Sequence, residues 1–150
     1  MSYTTELSPN AERPALLYRV IYGVPTEGNQ SGLPNDQLVA RGAWKTRPLE
    51  VYADLHLRVQ VKDRVGNESK SPFMTFTSQW RDALMIRENF LKQGKEHVRI
   101  VVVDGRKVRD IFSAFEISMN LGYAANGSRF LGNRFCHENE FLIRGVVDVR

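Results

Sequence analysis

Two hydrophobic rhythms run along the chain, and the places where one gives way to the other mark its elements. Leu16 to Tyr22 (LLYRVIY) gathers β-branched and aromatic residues into a short run closed by Gly23, which predicts a buried strand. Phe73 to Thr77 (FMTFT), entered through Pro72 and left through Ser78, predicts a second strand, and Val98 to Val103 (VRIVVV) a third. Between these, QWRDALMIRENFLKQG sets Trp80, Ala83, Leu84, Arg87, Phe90 and Leu91 on one side of a 3.6-residue period. That spacing predicts an amphipathic helix with Ser78 as its N-cap and Gly94 as its stop. Ser113 followed by Glu116 forms an S-x-x-E capping box, opening a helix through about Leu121 that ends at Gly122. Phe141 to Val149 reads as a strand or a bent pair of strands hinged at Gly145. Leu49 to Val61 fits both rhythms, with Val51, Leu55 and Val59 at helical spacing and Leu55, Leu57, Val59 and Val61 alternating. A helix running to about Val61 is the expectation there.

Polar stretches separate these runs. Residues 1–14 end in Arg13-Pro14 and read as a flexible leader, which leaves 15–150 as a single domain. Val24 to Asp36 and DRVGNESKSP are loops by composition, as is Ala124 to His137 (AANGSRFLGNRFCH), which carries Phe130 and Phe135 among glycines and asparagines. Strands and helices together predict an α+β domain around a split or mixed sheet.

Composition narrows the class. With 42% hydrophobic and 25% charged residues the chain is expected to fold around a core instead of staying disordered. Its net charge of +4 favours anions, but the basic residues are spread along the chain with no nucleic-acid-binding signature. An anionic small ligand fits that pattern better than nucleic acid. The first residues, MSYTTELSPNAERP, lack the pattern of a signal peptide, and no apolar run approaches membrane-spanning length. The expectation is a soluble chain without membrane attachment, either cytoplasmic or delivered as an effector. The single cysteine, Cys136, allows no intrachain disulfide and has no Cys-His-Asn partnership. His56, His97 and His137 have no metal-ligand spacing among themselves or with Cys136, so no metal is expected. Asp104-Gly105 reads as a turn.

Three places carry candidate chemistry. Arg19 sits inside an apolar run, where a guanidinium needs a partner carboxylate or a bound anion. Thr75 and Thr77 bring two hydroxyls to one side of a strand just before a helix, although threonine is also an ordinary strand residue. Glu138 and Glu140 open the last apolar run, and strand alternation predicts both carboxylates on one face. Taken alone, such a pair is solvated charge. Two carboxylates close together raise one of their pKa values, as a general base requires. Trp80 is either the core anchor of its helix or an aromatic lid beside the threonines.

The order of these features resembles the mono-ADP-ribosyltransferases of the Arg-Ser-Glu class, in the toxin-like branch. LLYRV supplies the strand arginine, TFTSQWRDAL stands where an S-T-S strand and helix belong, and HENEFLIRGV stands for the E-x-E strand. Thr75 replaces the leading serine, and the second position holds the bulky Phe76. The resemblance implies an ADP-ribosyltransferase-like split mixed β-sheet core with flanking helices, NAD as co-substrate, and transfer of ADP-ribose to a protein acceptor, through an arginine. Arg19 would then hold the NAD pyrophosphate, with Thr75, Thr77 and Trp80 completing the NAD site. Glu140 would stabilise the oxocarbenium-like ribose, and Glu138 would orient or deprotonate the incoming guanidinium. The loop from Asn126 to His137 would meet the acceptor protein through Phe130 or Phe135. Two alternatives stand beside this reading: a NAD glycohydrolase with water as acceptor, and an inactive interaction module, motivated by Thr75-Phe76-Thr77 in place of the usual motif.

Overall fold

The structure, a computed structural model, describes residues 14–23, 37–39, 57, 73–123, 137–144 and 146–148. Its strands are β1 (Leu16–Ile21), β2 (Gln37–Val39), β3 (Phe73–Thr77), β4 (Arg99–Asp104), β5 (Ile111–Ser113), β6 (Glu140–Arg144) and β7 (Val146–Asp148). Two helices are bounded as α1 (Trp80–Lys92) and α2 (Ala114–Asn120). The architecture is α+β. Five strands form one sheet in the order β4-β1-β3-β6-β5, and β2 pairs with β7 in a two-stranded sheet.

Every described ladder is antiparallel, where a mixed sheet was expected. The connection through α1 shows how this comes about. α1 connects β3 to β4, and these two run parallel, but β1 lies between them and is antiparallel to both. A crossover that skips one strand leaves no parallel neighbours.

Strand alternation divides the core into two faces. Leu17, Ile21, Met74, Phe76, Ile111 and Ile143 cluster on one face with Val103 and Val108. On the other, Ala83 and Phe90 of α1 pack against Val20, with Tyr18, Tyr22 and Ile86 around them. Further along that same face, Ala114 and Ile117 of α2 pack against Phe73, Phe112 and Leu142, together with Leu57 and Tyr123. Leu57 is the one described residue of the stretch from Leu49 to Val61, and it is helical and buried. The register aligns Thr77 with Tyr18 and with Glu140, and Thr75 with Leu142. The polar residues Thr75, Thr77 and Glu140 therefore share the helix-covered face, between the α1 cluster and the α2 cluster.

The helix ends follow local chemistry with one exception. Ser113 Oγ accepts the Glu116 N–H at 3.3 Å and caps α2, as the S-x-x-E pattern predicts. Gly94 and Gly122 follow the two helices with φ of 79° and 81°, the left-handed conformation that glycine adopts without strain. The exception is the start of α1, whose N-cap is Gln79 and not Ser78. Ser78 is held elsewhere, its N–H donating to the Asn139 carbonyl at 3.0 Å, while the Thr77 hydroxyl accepts the Gln79 N–H at 3.2 Å. A long-range tie to the approach of β6 thus displaces the cap by one residue.

Beyond β4 the chain turns through a short 3-10 helix, Gly105–Lys107, as Asp104-Gly105 suggests. Asp104 accepts the Arg106 N–H at 3.0 Å and grips its guanidinium, which raises the pKa of Arg106 through that hydrogen bond and then through charge. Gly105 lies against the first described residues: a Cβ there would stand 2.3 Å from the Pro14 carbonyl oxygen and 3.2 Å from Leu17 Cδ1. Because the nearer obstacle is backbone, Gly105→Ala is expected to destabilise the fold by about 1–3 kcal/mol. Urea titration should show a lower midpoint at unchanged slope. An unchanged midpoint would mean that the chain before β1 yields without penalty.

Phe141 to Val149 resolves as the bent pair: β6 joins the five-stranded sheet and β7 pairs with β2, with Gly145 itself outside the described residues. No described helix is long and apolar enough to cross a membrane.

Candidate active site

The β3–β6 register sets the site. With Thr77 opposite Glu140 and Thr75 opposite Leu142, Thr75 and Glu140 are diagonal neighbours on one face. Thr75 Oγ1 donates to Glu140 Oε2 at 3.0 Å. The other carboxylate oxygen, Oε1, lies 2.8 Å from Nδ1 of His137, in the turn just before β6. Glu140 and His137 are only 6% and 4% exposed. Burying an uncompensated carboxylate is very costly, and here each oxygen has a hydrogen-bonding group of its own.

Arg19 enters through a defect in the ladder. β1 registers against β4 along its whole length, yet meets β3 at the single pair Tyr18–Thr77. Where the strands part, Arg19 Nη1 donates to the Thr75 carbonyl at 3.0 Å. The sequence led to a carboxylate or an anion as partner; this backbone oxygen is one of the contacts of the guanidinium. Arg19 Nε is also buried and makes no hydrogen bond to any described residue. Alternation places Arg19 on the face of Leu17 and Ile21, opposite Glu140, so its link to the carboxylate runs through Thr75. Guanidinium to Thr75 carbonyl and Thr75 hydroxyl to Glu140 carboxylate join β1, β3 and β6 in one chain of contacts.

The remaining candidates lie as follows. Thr77 is buried and its hydroxyl accepts the Gln79 N–H, so it shapes the entry to α1. Trp80 is half exposed and is not the core anchor of its helix: it begins the first turn, and its ring meets Tyr18 edge to face at 5.2 Å. Because Tyr18 pairs with Thr77, this aromatic pair stands beside the Thr77–Glu140 end of the site.

Glu138 departs most from expectation. It is exposed and belongs to the turn before β6, which begins at Glu140, so strand alternation does not extend to it and the two glutamates do not share a strand face. The tie between Ser78 and Asn139 fixes that turn against the end of β3. Phe130 and Phe135 lie outside the described residues. Among the described residues no three His, Cys, Asp or Glu side chains group as a metal site would require. The sequence reading weighed His137 only as a metal ligand. The signal it missed is the i, i+3 spacing of His137 and Glu140, which a single helical turn brings together.

No family model matches the chain, and no curated protein matches it. Among solved structures it is similar to EcPltA, with a TM-score of 0.55 and 13% identity over 90% of this chain and 70% of that one. At that identity the likeness speaks for the fold alone.

Proposed function

We propose that the chain is a NAD-dependent mono-ADP-ribosyltransferase of the Arg-Ser-Glu class, built on an ADP-ribosyltransferase-like fold, that transfers ADP-ribose to an arginine of a protein acceptor. The observation that carries this reading is the bond from Thr75 Oγ1 to Glu140 Oε2, because it gives the glutamate of the E-x-E motif the fixed carboxylate such chemistry needs.

In the proposed reaction the bond between the ribose C1′ and the nicotinamide nitrogen breaks, and nicotinamide leaves with the electron pair. Positive charge develops on the ribose. A carboxylate already oriented and shielded from water stabilises that charge far better than one that must reorganise. Glu140 takes this role. Thr75 holds its orientation. Arg19, buried on the opposite sheet face, fastens the strand that carries Thr75 and acts on the site through it. Trp80 and Tyr18 offer an aromatic edge beside the Glu140 end of the site. A guanidinium nitrogen of the acceptor then bonds to C1′ and gives up its proton, for which the exposed Glu138 is the base. Incubation with NAD and lysate acceptors should release nicotinamide together with modified arginine; no release would sink the proposal.

The position of Glu138 also favours a second reading. A carboxylate in a turn, off the strand that holds Glu140, orients an acceptor less firmly, and water then competes as in a NAD glycohydrolase. Glu138→Ala is expected to lower the ratio of arginine modification to NAD hydrolysis by about 100-fold. An unchanged ratio would remove Glu138 from acceptor activation. An inactive module with this fold would give no specific heat on titration with NAD.

A further inference from the structure

We infer that His137 is a positioning residue for Glu140, fixing the plane of its carboxylate from the side opposite Thr75; the inference rests on the proposed role of Glu140. The last torsion of a glutamate is broad and roughly two-fold, so a carboxylate held at one oxygen still swings. Glu140 is held at both. Thr75 reaches Oε2 from β3, and His137 reaches Oε1 from the turn before β6. Two groups on separate elements define a plane where one would define only a direction.

The chemistry sets the protonation of the ring. With Glu140 ionised, as its proposed role requires, the carboxylate only accepts hydrogen bonds, so Nδ1 of His137, 2.8 Å from Oε1, would be the donor, in the neutral Nδ1–H tautomer or in the imidazolium. The ring is itself held in place. His137 is buried, and the buried Tyr123 packs beside it with ring centroids 6.2 Å apart at 55°. Tyr123 belongs to the apolar cluster under α2, with Phe112, Ile117 and Leu142. Core packing thus reaches Glu140 through Tyr123 and His137, from the flank opposite the one where Arg19 acts through Thr75.

Spectroscopy of the intact chain without NAD tests the pair independently of turnover. In nitrogen-resolved imidazole spectra, His137 Nδ1 should be protonated, and its signal should move in Glu140→Gln. An unprotonated Nδ1, or identical spectra, would overturn the inference. Kinetics test the positioning itself. His137→Ala should lower kcat for nicotinamide release about 100-fold, the scale of a misplaced reacting group, with KM little changed. His137→Asn, whose amide nitrogen stands as many bonds from Cα as Nδ1 does, should recover about tenfold of that loss, and His137→Gln, one carbon longer, should not. Equal impairment of the Asn and Gln variants, or His137→Ala at the native rate, would overturn it. If the native chain released no nicotinamide, the proposed function would fail while the spectra still decided whether His137 holds Glu140.

Discussion

Glu140→Gln is expected to lower nicotinamide release by about 10²- to 10³-fold, the scale of removing one preorganised group from an electrostatic site. NAD affinity and fold should be nearly intact. Glutamine keeps the shape of the side chain and one carbonyl oxygen able to accept from Thr75 Oγ1, the contact that in the native chain spans 3.0 Å. What it removes is the negative charge facing the developing cation, which matters in the transition state and little in the ground state. The loss should therefore fall on kcat and leave KM close to native. A variant that keeps native turnover would show that no step depends on this carboxylate. A variant that loses turnover only because it unfolds would show itself in a collapsed denaturation midpoint.

Arg19→Ala should act on stability and turnover together. Removing a buried charge is sometimes neutral when apolar groups fill the space, so the sign of the effect must be decided. Here alanine fills nothing and takes the Nη1 donor away from the Thr75 carbonyl, at the point where β1 has already parted from β3. Hydrogen bonds to charged groups contribute about 1.5–3 kcal/mol, and a loss of about 2–3 kcal/mol in a urea titration is the expected result. Turnover should fall as well, since Thr75 loses the contact that fixes its strand beside Glu140. Arg19→Lys should recover part of the stability but less of the turnover, because a lysine ammonium lacks the planar fork. Native stability in Arg19→Ala would mean that Thr75 is held without this contact.

What the sequence revealed of the fold was local, and what it hid was set by distant register. Phe73 to Thr77 forms a strand with the bounds its composition predicts, and Ser113, Gly94 and Gly122 mark helix ends by their own hydroxyl or their own φ. β5 was missed because three residues are too few to show a period. The N-cap of α1 moved to Gln79 because Ser78 is bonded to Asn139, sixty-one positions away in the chain, which no local rule detects.

The site divides in the same way. That Thr75 and Glu140 belong together was readable from the order of the motifs, but their diagonal contact depends on the β3–β6 register. That Arg19 would donate to the Thr75 carbonyl could not be read, because the contact arises where β1 meets β3 at a single pair. The alternation applied to Glu138 assumed a strand that begins two residues later, at Glu140. His137 reads as the end of a loop, where nothing local predicts that the turn before β6 carries its ring to the carboxylate.

The most direct test is mass spectrometry of lysate proteins after exposure to isotope-labelled NAD, comparing the native chain with Glu140→Gln. The account predicts arginine residues carrying labelled ADP-ribose with the native chain and background with the variant. No labelled protein and no released nicotinamide with the native chain, or equal labelling by both, would contradict it.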